Sequence, residues 1–312
     1  MFYKTYKKII KIYQDGGVLL FSSKLLRRLL LPLNLFVSPV VFAELEMFLI
    51  LGYWPKIDNP KSFNEKIYYR KLFAPHPLSV LVADKWAVRK YVASRTGRSD
   101  ILNKVFFVGN APEKIPFDDL PNKFVIKATH GSGWNIIVTD KSKINRDEII
   151  TRCQTWLNMK YSDILKNSSE KYYDKIVPRI IVEMFIEDSV FDLPLDYKFL
   201  CFDGKVHGIE TVIRLAADYR EIHYDENWND LNFRWGALRA EGFPKPHLLR
   251  EMIKVAEQIS IDFDFCRVDL YSPDNKKIIF GEITLAPGGG LSPFYPKEWD
   301  YRLGEKWKIK TI

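Results

Sequence analysis

Between Phe265 and Leu285 the chain reads "FCRVDLYSPDNKKIIFGEITL", two β-rich runs around a turn centred on Pro273, Asp274 and Asn275. No other stretch constrains the fold as tightly, because both runs alternate with a period of two. In the first, Cys266, Val268 and Leu270 share one face and Arg267 and Asp269 the other. In the second, Ile279, Ile283 and Leu285 lie opposite Phe280, Glu282 and Thr284. The pattern predicts a hairpin. An even-length loop pairs odd positions of the first strand with even positions of the second, which gathers Arg267, Asp269, Glu282 and Thr284 on one side. Two carboxylates beside a guanidinium read either as a partly buried salt bridge or as a hard-cation site, since Mg²⁺ takes oxygens from one or two carboxylates plus phosphates.

A second hairpin is expected in "KFVIKATHGSGWNIIVTDK", where β-branched runs flank a Gly-Ser-Gly loop. Lys127 stands at the end of the first run, beside donors of little bulk, and a point charge with free N–H groups suits phosphate oxygens. The spacing is not that of GxxxxGK[ST] and the loop opens no helix, which excludes a Walker-type loop.

Around these hairpins, "LVADKWAVRKYVASRTG" predicts a helix capped at Asp84 and stopped at Gly97. Residues 146 to 166 also read as helical, "RIIVEMFIE" as a buried strand, and "LDYKFLCFDGKVHGIETVI" as two strands around Asp203-Gly204. Residues 211 to 246 read as irregular. "HLLREMIKVAEQIS" sets Leu248, Leu249, Met252, Val255, Ala256 and Ile259 on one helix face. The fold class is α+β with largely antiparallel sheets, and 312 residues, 47% of them apolar, are enough for two or three lobes.

Charge is uneven. Residues 1 to 28 hold seven basic residues against one acid, a net +6 out of +8 for the whole chain. Tyr3, Tyr6, Ile9, Ile10 and Tyr13 recur there at helical spacing, so the segment suits either an anionic membrane surface or packing on its own protein with a solvated basic face. Cations clustered at one terminus rather than across a folded face argue against nucleic acid. Pro32, Asn34, Pro39, Glu44 and Glu46 interrupt residues 29 to 51, which therefore do not read as a membrane span or a cleavable signal. Three widely spaced Cys point to a reducing, cytoplasmic setting, with any membrane contact at the inner face.

The joint set "NPKSFNEKI", "DKWAVRKYV", "FVIKATHGSG", "DYKFLCFDGKV" and "FGEITLAPGGG" resembles the TupA-like ATP-grasp family, associated with bacterial surface-polysaccharide loci. The resemblance implies an ATP-grasp fold of two α+β lobes sandwiching ATP. They follow a mostly helical region over 1–75 and first-lobe or linker elements over 76–120. The small lobe would take 121–190 and the large lobe 191–312. It implies ATP and Mg²⁺ as cofactors. Lys127 would contact the α/β-phosphates, and His130, Gly131, Ser132 and Gly133 would form the flap over the β- and γ-phosphates. Glu183 would take the adenine amino group, Met184, Phe185 and Ile186 would form the hinge, and Asp196 or Glu187 would hold the ribose. Lys198 would reach a phosphate, Asp269 and Glu282 would carry Mg²⁺, and Arg267 would steady the acyl-phosphate. The family places Asn two residues after the Glu; here it is Thr284, a weaker metal ligand.

The implied reaction phosphorylates a carboxylate with ATP and lets an amine displace phosphate, giving an amide. The expected partners are a sugar acid or amino acid and an amine destined for a surface glycan. Arg214, Trp228, Arg234, Trp235 and Arg239, with Gly289 and Gly290, are the substrate candidates. The alternative is a glycosyltransferase, suggested by the D-x-D of Asp262-Phe263-Asp264.

Overall fold

The computed structural model describes residues 36–164, 170–189, 193–215 and 218–310. The basic segment over residues 1 to 28 lies outside them. Two antiparallel-rich sheets organise the rest. The smaller contains β1 (Val105–Gly109), β2 (Phe124–Ala128), β3 (Asn135–Val138) and β4 (Ile180–Met184), in the order β1-β4-β2-β3. Ile149, Cys153 and Trp156 of the helix Arg146–Leu157 pack on Phe124, Ile126 and Val182 of this sheet. The helix expected to run to residue 166 ends at Leu157, and a separate short helix spans Tyr161–Ile164.

The larger sheet has β5 (Asp196–Phe202), β6 (Lys205–Leu215), β7 (Asp218–Tyr224), β9 (Leu238–Arg239), β10 (Phe265–Tyr271) and β11 (Ile279–Thr284), ordered β11-β10-β5-β6-β7-β9. A two-residue pair, β8 (Arg234–Trp235) with β12 (Phe294–Tyr295), lies apart from it. Asp203 and Gly204 both have positive φ, which gives the tight turn that joins β5 to β6. The segment 211 to 246, expected to be irregular, continues β6 and forms β7 as far as Tyr224, and beyond it holds only the two-residue strands β8 and β9. Its apolar alternation is masked because Glu210, Glu221 and His223 are buried polar residues on one face.

The helix Leu249–Ser260 buries Leu249, Met252, Val255, Ala256 and Ile259 against the other face, as its amphipathic pattern requires. The thiols of Cys201 and Cys266 sit in that core on directly opposed positions of β5 and β10.

An aromatic core ties the N-terminal helices to the larger sheet. Ser62 and Glu65 form a reciprocal capping box on the helix Phe63–Leu72. Phe63, fully buried, meets the rings of Phe265 at 4.9 Å, Trp235 at 5.4 Å and Trp307 at 5.7 Å. Phe63→Ala is expected to cost about 3–5 kcal/mol, read as a lower urea midpoint. An unchanged midpoint would mean that the N-terminal helices are not part of the same cooperative unit.

Candidate active site

Five ionisable side chains form one row across the larger sheet. In register, Glu282 faces Asp269, Asp269 faces Lys198, Lys198 faces Glu210 and Glu210 faces His223. Cross-strand neighbours at such spacing interact directly. Lys198 Nζ donates to Glu210 Oε1 and to the Tyr219 hydroxyl, each at 3.2 Å. Burial opposes that ammonium, but Glu210 more than compensates and raises its pKa. Lys198 therefore anchors the row rather than projecting as a free charge.

The acid pair depends on a backbone irregularity. The loop between Tyr271 and Ile279 does not have the even length expected, and Leu270 pairs with Phe280 and Tyr271 with Ile279. On that register alone Glu282 would face the core beside Val268. A bulge at Gly281 shifts the pairing by one residue, so Asp269 meets Glu282 and Arg267 meets Thr284. Phe280 and Ile283, assigned to opposite faces by simple alternation, consequently share the core. A Cβ on Gly281 would lie 3.0 Å from both the Asp269 carbonyl oxygen and the Tyr271 ring.

Arg267 closes the cluster. Its Nε and one terminal nitrogen donate to the two oxygens of Asp269 at 2.7 and 2.6 Å. The same terminal nitrogen reaches Glu282 Oε1 and Thr284 Oγ1 at 3.3 Å. Burial pushes the Asp269 carboxyl up to about 7, with Arg267 pulling the other way. Glu282 also carries a burial penalty, yet the Arg267 and Lys85 charges hold its pKa below the usual value. Its side chain remains 53% exposed, so it lines a crevice rather than a sealed core. Among the described residues no three His, Cys, Asp or Glu side chains converge as a metal cage. Two carboxylates and a hydroxyl fit Mg²⁺ only as a partial oxygen shell that phosphates would complete.

The smaller sheet supplies the opposite wall. Lys127 Nζ donates to Glu183 Oε2 at 2.8 Å, and Arg89 reaches the other oxygen at 3.4 Å. Glu183, expected to take an adenine amino group, is thus committed to two cations. The flap from Gly131 to Gly133 needs its glycines: a Cβ on Gly131 would fall 2.6 Å from the Trp134 ring, and Gly133 has φ +74. Ser132 is exposed, but His130 is buried, with Nε2 on the Trp156 carbonyl at 2.9 Å. The His130 side chain therefore packs beneath the flap and does not line it.

Sequence reasoning missed Lys85. Its backbone N–H donates to the Thr129 carbonyl at 3.3 Å, and its ammonium donates to the Gly131 carbonyl. Burial, eased by Glu282 and reinforced by Lys127, pulls it down to about 8. One ammonium thus senses both walls. The signal lies in "DKWAVRKYV", where Asp84 reads as a cap and a cation follows it directly. Asp84 does cap, accepting from the Trp86 and Ala87 N–H groups at 2.9 and 3.2 Å.

Other candidates are placed less directly. The Met184 N–H donates to Lys104 and its carbonyl accepts from Asn103, so in the hinge segment only Phe185 and Ile186 follow this engaged residue. Glu187 is exposed and pairs with Lys123 at 3.0 Å, whereas Asp196 is buried beside Tyr271. The Arg214 side chain lies outside the described residues.

Arg234 stacks over Tyr295 at 4.2 Å. Trp228 stacks on Tyr224, Trp235 stacks on Phe294, and Arg239 pairs with Asp230, so each of the three already has a partner within the chain. Gly288, Gly289 and Gly290 all have positive φ. A Cβ on Gly290 would lie 2.9 Å from Tyr68 and 3.0 Å from the Asn64 carbonyl. That glycine admits a helix, not a substrate.

The two acids of the D-x-D are also engaged. Asp262 pairs with Arg95 at 2.5 Å, and buried Asp264 pairs with Arg70 and the Lys310 N–H.

A family model described as "TupA-like ATPgrasp" matches residues 65–308. Among curated proteins none matches the chain. Similar solved structures include a D-alanine–D-alanine ligase from Bacillus anthracis complexed with ATP, 17% identical, with a TM-score of 0.39 over 66% of this chain and 55% of that one. A D-alanyl-alanine synthetase A from Vibrio cholerae is 14% identical, with a TM-score of 0.39 over 65% of this chain and 55% of its own. An N5-carboxyaminoimidazole synthase from Aspergillus clavatus is 13% identical, with a TM-score of 0.36 over 66% and 44%. This chain spans about half the length of these proteins. The family match, not these distant likenesses, carries the assignment.

The bulge generates a direct test. Gly281→Ala forces a methyl against a backbone carbonyl and is expected to destabilise by about 1–3 kcal/mol, read from urea unfolding. Wild-type stability in that variant would show that the bulge accepts a side chain.

Proposed function

This chain belongs to the TupA-like ATP-grasp family, and on that premise we propose that it is an ADP-forming ligase joining a carboxylate to an amine. The observation that carries the reading is the meeting, on one crevice, of Asp269, Glu282 and Arg267 from the larger sheet with Lys85 and Lys127 from the opposite wall. Such a site matches a polyphosphate and the charge that grows when its terminal phosphoryl group is transferred.

In this reading Lys127 and Lys85 bind phosphate oxygens, and the flap N–H groups at Gly131 to Gly133 cover them. Asp269 and Glu282, with Thr284, would hold Mg²⁺, which when bound neutralises charge on the transferring phosphoryl group. Arg267, fixed by both oxygens of Asp269, presents its guanidinium to the reacting centre. A free carboxylate has no usable leaving group at neutral pH; as an acyl phosphate it does. Fixed donors and cations need no reorganisation as charge develops, and positioning does most of the remaining work.

The finer proposal is a sugar acid or amino acid joined to an amine for a surface glycan, which rests on the family alone. Trp228, Trp235 and Arg239, each engaged within the chain, add no support to it. The glycosyltransferase alternative loses its support too, because both acids of its motif are held in ion pairs. Three buried free thiols are in keeping with a cytoplasmic setting.

Incubation with ATP, Mg²⁺ and paired acids and amines, uronic acids and amino acids among them, should release ADP only when both partners are present. Lys127→Ala and Glu282→Ala should each abolish it. Release of AMP and pyrophosphate would sink the reading.

A pH dependence follows from Lys85. Only its ammonium form attracts phosphate, and in the free protein that form is lost as pH rises through about 8. Affinity for a non-hydrolysable ATP analogue should therefore be full below that pH and decline above it. Lys85→Arg should remove the decline, because a guanidinium stays charged. Calorimetric titrations with identical pH profiles for the two proteins would contradict this.

A further inference from the structure

The helix Pro39–Leu51 is apolar apart from Glu44 and Glu46. Phe42, Ala43 and Met47 turn inward and are buried, with Ala43 and Met47 packed beside Ile57 and Tyr68. The one inward acid, Glu46, accepts from the Tyr68 hydroxyl at 2.6 Å. On the other side Val41 and Phe48 are each 43% exposed, and Leu45 lies between them at helical spacing. Phe36 and Trp54 extend the exposed surface at 84% and 57%, and the Trp54 ring lies 5.4 Å from that of Phe48. A helix facing water ordinarily turns charges outward. Of the acids near this stripe, Glu44 is half-buried, and burial together with the neighbouring charge of Asp58 raises its pKa.

The rim carries aromatic rings and lysines alongside the exposed Asp58. Lys297 sits 4.3 Å above the Tyr53 ring, Tyr301 lies 6.2 Å from the same ring, and Lys56 is exposed. The sequence leading into this face carries the net +6 of residues 1 to 28. An exposed apolar stripe edged by Trp, Tyr and Lys and joined to a basic segment has the composition of an interfacial membrane element. A second copy of the chain would bring two such basic segments together, whereas an anionic surface neutralises both.

We infer that the face made by Val41, Leu45, Phe48 and Trp54 docks on an anionic lipid bilayer. Its apolar side chains enter the headgroup boundary, and the basic segment adds Coulomb attraction. Among the described residues no helix is long and apolar enough to cross a membrane. The inference is independent of the ligase reading, and failure of either leaves the other standing.

The test is vesicle flotation of the full chain, with phosphatidylcholine vesicles carrying phosphatidylglycerol against phosphatidylcholine alone. The protein should float with the anionic vesicles, and less so as salt rises. Phe48→Gln with Trp54→Gln should weaken binding at least about tenfold while thermal melting stays cooperative. Val41→Gln provides a milder variant should the double one fail to fold. Reversal of Lys4, Lys7, Lys8 and Lys11 to Glu should remove the preference for anionic lipid. Three results would overturn the inference: a wild-type chain that does not float, folded Phe48/Trp54 variants that bind as well as wild type, or light scattering that shows these residues holding a dimer.

Discussion

Charge buried on one face of a sheet has to be neutralised by its neighbours, and the larger sheet is arranged around that requirement. Glu282, Asp269, Lys198, Glu210 and His223 occupy consecutive strands at the same level, and four of the five are almost wholly buried. Taking any one ion out of water alone costs several kcal/mol. The row is stable only as a set, with Arg267 and Lys198 interleaved among the carboxylates. Its charges are consequently in place before a ligand arrives, which is what electrostatic catalysis requires. Order in the row is thus the link between packing and function.

The crevice is closed from the other side by a short covalent path. Asp84 and Lys85 are consecutive and take different tasks at the same wall. Asp84 caps the helix Ala87–Thr96 and pairs with Arg179, while Lys85 holds the Thr129 and Gly131 carbonyls and lies within the field of Glu282. The flap that follows is kept narrow by Trp134 beneath Gly131. The segment is anchored at one end and open at Ser132.

The aromatic residues divide by depth. Those expected to meet a sugar, Trp228 and Trp235, have their ring faces taken by Tyr224 and Phe294. Those left in solvent, Phe48 and Trp54, lie on the N-terminal helical region. An aromatic side chain read from sequence carries no indication of which ring it will face. Large rings are drawn into cores by the area they bury, and only the leftover ones become surfaces for partners.

By itself the sequence determined whatever depends on neighbours along the chain. The two-residue alternation of "RVDLY", the helical spacing of Leu249 to Ile259, the turn at Asp203-Gly204 and the cap at Asp84 all follow from local sterics and patterning. Tertiary structure decided which strand approaches which, and with what register. The even loop assumed for the last hairpin is not present, and the pairing of Asp269 with Glu282 survives because Gly281 forms a bulge. The strand β7 was hidden because its buried face is polar, an arrangement tolerable only beside charges from distant parts of the chain. Lys85 stayed silent for the same reason, since its partners Gly131 and Glu282 are remote in sequence. Periodicity is a property of one segment, whereas neutralisation of buried charge is a property of several, and only the folded chain brings them together.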